Sequence, residues 1–352
     1  MWHQSQFAAW GRASVFARST EYYLTVLADA KAYAAKQGYT GARWFKMRAQ
    51  ASVSNLFTGP SVVVGPLLLQ QQGHPIVYAE LLYRANPTNG TLAQYSAMVH
   101  ETAEFMASFA LQSKGFNSRG CLNLGPPMAP GMGVEASDPG NEMNWTNTAN
   151  GCYENVYWKF GISLAQEWRR RQGQPAEPRW AEVMATLCTP AVRSWKSQPA
   201  YFFDDGSTAL IGPSTALGQV YACGHIPCLL HGVNASVMQS TLQMAVAEFN
   251  FSNAYPGDDA VYAMTAARLG DYTMAVDLLL NGTDTSRNVY NSNNGYWQGF
   301  FPALVGTNGQ FLYAVAMLVG GWDHAAKATL GGAPGFPLKG WNVEAEGFPG
   351  LF

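Results

Sequence analysis

Apolar side chains spaced three and four residues apart recur in separate blocks along this chain, and that recurrence constrains its fold more than any other feature. Tyr23, Val26, Leu27, Ala30 and Ala34 form one stripe, predicting a helix that runs to about Gln37 before Gly38 stops it. A second stripe follows Pro75 with Val77, Leu81 and Leu82, and a third sets Leu92, Tyr95, Val99, Thr102, Met106 and Phe109 on one face. The turn Asn86-Pro87-Thr88-Asn89-Gly90 between them makes the pair a helical hairpin. The unit returns with Tyr153, Tyr157, Phe160, Leu164 and Trp168, in a helix ending in Arg169-Arg170-Arg171, cations suited to a negative C-terminus. Further helices are predicted from Trp180 to Leu187, near Ser236 to Glu248, from Asp258 to Leu269, from Tyr272 to Leu280, and after Asn308. The one β-branched run, Ser61 to Leu69, is broken by Gly65-Pro66, so the class is all-α. Hairpins recurring about every 70 to 80 residues, with long loops on one side, suit an (α/α)6 toroid with a pocket at one mouth. An irregular bundle shares the same periodicity. No linker divides the chain, so residues 1–352 are expected to form a single domain.

Composition narrows the function. With 48% apolar and 12% charged positions the chain can fill a large core, which excludes a disordered segment. Lys and Arg number 21 against 23 Asp and Glu without a basic run, so a nucleic-acid partner is not expected. No stretch approaches the roughly 20 apolar residues of a bilayer span, and Met1-Trp2-His3-Gln4 does not resemble a signal peptide. The 11 Trp, 17 Tyr and 18 Phe serve either a core or the floor of a sugar-binding cleft. Five cysteines leave at least one thiol free or partnered outside the chain. Asn-X-Ser/Thr at Asn89, Asn144, Asn234, Asn250 and Asn281 fits a secreted glycoprotein.

Loops between the helices offer the chemistry. Gly41-Ala42-Arg43-Trp44-Phe45-Lys46 places a ring between two cations, and Gln71-Gln72-Gly73-His74-Pro75 supplies amides and an imidazole before a helix. Each suits a polyhydroxylated ligand, and each suits backbone capping equally well. The loop from Leu122 to Gly151 carries Glu135, Asp138, Glu142 and Trp145; a segment of that length without secondary structure is commonly functional. Glu154 opens a helix, where a carboxylate is favoured whatever its role. Cys223-Gly224-His225-Ile226-Pro227-Cys228-Leu229-Leu230-His231 holds four soft or borderline ligands, but it lacks the usual zinc spacing and a distant second pair. A local Cys223–Cys228 disulfide or buried thiols are the better reading, and neither a metal nor a cofactor is expected.

These segments fall in an order that resembles the six-hairpin glycosidase-like proteins, the (α/α)6 toroids related to glycoside hydrolase families 65 and 95. The likeness is carried by Trp2-His3, by Gly38 through Met47, and by Gly65-Pro66-Leu67-Leu68 through Gln72-Gly73-His74-Pro75 to Arg84. It continues through Glu101-Thr102-Ala103-Glu104, Leu124-Gly125-Pro126-Pro127, Tyr153-Glu154, Ala263 through Gly270, and Gly321-Trp322-Asp323. The resemblance implies a carbohydrate-active domain that cleaves an O-glycosidic bond with inversion, with a carbohydrate as partner. Inversion needs an acid and a base roughly 6.5 to 9.5 Å apart. By the resemblance Glu135 is the first candidate for the acid and Glu154 the second. Asp258 and Asp259 are candidates for the base, kept ionised by a helix N-terminus, with N-capping as their structural alternative. His3, Arg43, Lys46, Gln72, His74 and Trp145 would hold hydroxyls, with Trp44 as a stacking floor. A disaccharide phosphorylase, a polysaccharide lyase and an inactive sugar-binding toroid remain alternatives on the same scaffold. The likeness starts inside a first hairpin, so the expectation is of a longer, extracellular parent whose upstream β-sandwich is absent here.

Overall fold

The computed structural model describes residues 1–45, 67–112, 117–128, 148–206, 218–248, 257–281, 289–290, 297–298, 305–325, 333–344, 346–348 and 350–352. Helices dominate these residues. The first three are α1 (Trp2–Ala9), α2 (Ala13–Thr25) and α3 (Leu27–Lys36). The single helix expected from Tyr23 to about Gln37 is thus two, because the backbone turns at Val26, with φ −106° and ψ 12°. Gly38, at φ 85°, closes α3 as expected.

The next hairpin, α4 (His74–Ala85) and α5 (Asn89–Gln112), begins within two residues of the predicted starts. Pro75 occupies the first turn of α4, where a missing N–H costs nothing. Then come α6 (Cys152–Arg171) and α7 (Pro178–Thr186), followed by an unforeseen β-hairpin, β1 (Val192–Trp195) with β2 (Gln198–Tyr201). Trp195 faces Gln198 in antiparallel register, and the intervening Lys196 and Ser197 adopt φ 44° and 66°. Left-handed residues at both central positions match strand twist across a two-residue turn. After the short α8 (Gly218–Tyr221), the helices are α9 (Ala235–Glu248), α10 (Asp258–Arg268), α11 (Tyr272–Asn281) and α12 (Val305–Gly320). A two-residue pair, β3 (Val289–Tyr290) and β4 (Trp297–Gln298), lies between the last two. The Asn234 side chain caps α9 by accepting the backbone N–H groups of Ser236 at 2.9 Å and Val237 at 3.2 Å.

Packing arranges these helices in a closed cycle: α12 lies against α10, α10 against α8, α8 against α6, and α6 against α4, while α1 and α2 pack on α4 and α1 packs back on α12. Outside the cycle, α5 covers α4 and α6, α7 covers α5 and α6, α11 covers α10, and α9 covers α8 and α10. Aromatic edges fill the interior, as in Phe16–Tyr78 at 5.2 Å, Tyr23–Tyr78 at 5.8 Å and Trp2–Tyr313 at 5.6 Å between ring centroids. Edge-to-face pairs of this kind contribute about 0.5–1.5 kcal/mol each beyond their buried area.

Two ends of the cycle differ. Tyr83 meets Trp168 near the C-terminal ends of α4 and α6, while His74 meets Tyr157 toward their N-terminal ends, so these helices run parallel. At the C-terminal ends the buried Glu80 carboxylate accepts Trp168 Nε1 at 2.8 Å, Arg171 at 2.6 and 3.1 Å, and Arg84 Nε at 3.0 Å. Arg84 in turn grips Asp323, just beyond α12, at 2.6 and 3.0 Å. This end is a framework of fully engaged charges, which leaves the N-terminal ends for chemistry.

Candidate active site

The first turn of a helix leaves backbone N–H groups without internal partners and so favours anionic side chains. At α10 that turn holds Asp258 and Asp259, both buried. The alternative that they cap the helix is not realised, since the cap position is Gly257 at φ 101°. Gln310 of α12 occupies the space a β-carbon at Gly257 would need, which locks the start of α10 to the start of α12. Asp258 accepts a hydrogen bond from the Tyr221 hydroxyl of α8. Burial and the adjoining Asp258 charge push the Tyr221 pKa well above its ordinary value, so the phenol stays a donor.

Asp259 behaves differently from the sequence expectation. Burial pushes its carboxyl up from 3.8 to about 7, so desolvation outweighs the helix terminus and half the population is protonated near neutrality. That is the state of a proton donor rather than of a standing base. Glu154, in the first turn of α6 and also buried, folds its carboxylate back over Gly151, where any β-carbon would collide with it. Its charge adds to burial in raising the pKa of Cys152 and Tyr153.

Histidines occupy the space between these helices. His74 at the start of α4 meets the Tyr157 hydroxyl at 2.7 Å through Nδ1 and keeps partial solvent access. Protein nonetheless crowds it enough to drive its pKa well below the ordinary value. His3 on α1 is exposed, yet the same crowding lowers its pKa to about 4. Both imidazoles are therefore neutral at neutral pH. His225 is buried, with Nε2 3.3 Å from the Tyr153 hydroxyl and its ring edge-on to Trp2 at 4.7 Å. Sequence reasoning missed Tyr221, Gln310 and His225 as parts of this region; only the flanking cysteines marked His225.

Other anticipated ligand-holding groups serve packing. Trp44 is 2% exposed, donates Nε1 to Thr102 at 2.8 Å and its backbone N–H to Gln72 Oε1 at 2.9 Å, so it offers no open face to a sugar. Gln72 completes that clamp through Nε2 to the Ala42 carbonyl at 2.8 Å. Arg43 is buried over the rings of Phe45, Phe105 and Phe109 and donates to Gln37. Glu135, Lys46 and Trp145 lie outside the described residues. The flanks of the loop that carries Glu135 are anchored at the start of α6: Asn150 Nδ2 donates to Asn123 at 2.7 Å and to Asp205 at 2.6 Å, and its Oδ1 accepts Leu124 N–H at 2.9 Å.

Cys223 and Cys228 form a disulfide, as do Cys121 and Cys188, leaving Cys152 as a buried thiol. A disulfide removes the thiolates that a zinc site at Cys223–His231 would require.

No family model matches the chain, and no curated protein does. Among solved structures it is similar to a protein described as a putative kojibiose phosphorylase from human microbiome. The identity is 11% and the TM-score 0.51, with 84% of this chain and 45% of that chain covered. The chain therefore spans under half of that protein's length. At this level the likeness defines the fold, and with the closed helical cycle it makes the chain an all-α protein of the (α/α)6 toroid class.

Proposed function

We propose that this chain cleaves a glycosidic bond of an oligo- or polysaccharide by hydrolysis, at the end of the ring where α4, α6 and α10 begin. The observation that carries the reading is Asp259, a buried carboxyl with a pKa near 7 at the start of α10. Asp259 gives its proton to the departing glycosidic oxygen. Glu154 is the candidate for the second carboxylate, which draws a proton from the attacking water; Glu135, the first candidate for the acid by the resemblance, lies outside the described residues. The neutral imidazoles of His3 and His74 exchange hydrogen bonds with sugar hydroxyls. Two disulfides fit an extracellular setting.

Phosphorolysis is the second reading, supported by the description of the similar solved structure. Neutral histidines supply hydrogen bonds but no positive charge for a phosphate nucleophile, and so favour water. The test is a panel of oligosaccharides incubated with the chain in the presence and absence of phosphate, with products weighed by mass spectrometry. Hydrolysis yields free sugars in both conditions, whereas a sugar phosphate formed only with phosphate would replace this reading with the second. Asp259→Asn should lower turnover by about 10²–10⁴-fold, and unchanged turnover would remove Asp259 from the chemistry. Sugar binding without any product would leave a binding protein.

A further inference from the structure

Of the two imidazoles assigned to the sugar, only His74 has a hydrogen-bond partner among the described residues: its Nδ1 lies 2.7 Å from the Tyr157 hydroxyl of α6. Which atom carries the bridging hydrogen follows from the protonation states of the two groups. Burial drives the Tyr157 pKa well above its ordinary value, so the phenol keeps its hydrogen. Tyr157 is fully buried, and its hydroxyl has no other hydrogen-bond partner among the described residues. Burial likewise holds the His74 pKa well below its ordinary value, so the ring carries a single hydrogen, on Nδ1 or on Nε2. With that hydrogen on Nδ1, the buried phenol would have to turn its O–H away from its one acceptor and leave it unsatisfied. With it on Nε2, the phenol donates to the Nδ1 lone pair and both groups are satisfied.

The Tyr157 ring is held at this contact from several sides. It stacks on Tyr153, one helical turn earlier, at 5.3 Å between centroids and 23° between planes, and it meets the His225 ring edge-on at 5.6 Å. Gly73, the residue before His74, makes room for it, since a β-carbon there would stand 3.2 Å from Tyr157 Cε1. Gly161, one turn later on α6, brings the two backbones together, with its β-carbon position 3.8 Å from the Gly73 Cα. The other imidazole nitrogen of His74, Nε2, has no partner among the described residues, and the residue keeps partial solvent access.

We propose that Tyr157 is a positioning residue that fixes His74 as the Nε2–H tautomer, making the imidazole a hydrogen-bond donor, and not an acceptor, toward the saccharide. This role rests on the reading of this end of the ring as a saccharide site. His74 then recognises a lone pair on a sugar oxygen. With Nδ1 occupied and Nε2 protonated, it has no free lone pair to take a proton from the attacking water, which leaves that task to a carboxylate. Long-range ¹H–¹⁵N correlation spectra of the histidine-labelled full chain near neutral pH test the assignment, with the His74 signals identified by their loss in His74→Gln. Nδ1 is expected in the unprotonated range and Nε2 in the protonated range. In Tyr157→Phe, which keeps the buried ring and removes only the hydroxyl, the two nitrogen shifts should move toward each other as the tautomers mix. On a glycoside that the native chain cleaves, the same variant should raise KM by roughly fivefold, the loss of one neutral hydrogen bond, and change kcat less. A hydrogen on Nδ1 in the native chain overturns the proposal even if Tyr157→Phe fails to fold, as does an Nε2–H tautomer that persists unmixed in the folded variant. If no glycoside is cleaved, the saccharide reading fails while the spectra still decide the tautomer.

Discussion

At the scale of single residues, Asp259 has the sharpest consequences. Its folded pKa of about 7 lies above the ordinary 3.8, so the folded chain binds a proton that the unfolded chain has already released between those values. Its contribution to stability is therefore full below about 3.8 and is lost as pH rises through about 7. The displacement corresponds to roughly 4 kcal/mol of charge-burial cost. Asp259→Asn should raise the unfolding midpoint at pH 8 relative to the native chain while having little effect at pH 4, as followed by thermal denaturation. The pH profile of turnover should likewise fall as pH rises through about 7, and a profile flat across that range would show that Asp259 is not the proton donor. The sequence placed an acid at a helix start but not the burial that sets its protonation. Trp44 makes the reverse point: a tryptophan between two cations looks like a sugar platform until Thr102 and Gln72 are seen to enclose it.

At the scale of elements, amphipathic period was enough to locate α4, α5, α6, α7, α9, α10 and α11 within a few residues. α1 was not legible as a helix, because only Ser5, Ala8 and Ala9 of it are buried and its polar residues break the stripe. The β1–β2 hairpin was hidden for another reason, since Lys196-Ser197 has neither glycine nor asparagine to announce a left-handed turn. Connections between elements depend on side chains far apart in sequence. Glu80→Ala would leave Arg84 and Arg171 without the buried carboxylate both share, and should cost about 3–5 kcal/mol in denaturant unfolding. A loss below about 1 kcal/mol, typical of surface pairs, would show that the network is solvent-screened. Cys188→Ser opens a bridge spanning 67 residues and should cost about 2–5 kcal/mol, measured against the native chain under non-reducing conditions.

At the scale of the whole molecule, closure of the ring rests on α1 reaching α12. Gly309 allows it: a β-carbon there would overlap the Trp2 carbonyl. A glycine inside a helix weakens that helix by about 0.5–1 kcal/mol relative to alanine, and here the close approach of two backbones offsets the loss. Gly309→Val should therefore force α1 from α12 and lower the unfolding midpoint well beyond what helix propensity alone accounts for, whereas Gly270→Val, open to solvent, tests left-handed strain without any clash. Equal effects at the two positions would mean that the α1–α12 contact does not hold the ring.

Period and punctuation in the sequence alone determined that the chain is helical, that its helices come in pairs, and where most of them begin and end, because helix formation answers to neighbours three and four residues away. Which rings face a cavity and which are enclosed, which carboxyl holds its proton, and that the first helix meets the last were decided by the tertiary structure. Burial and dielectric environment are set by residues hundreds of positions apart, and no local pattern encodes them.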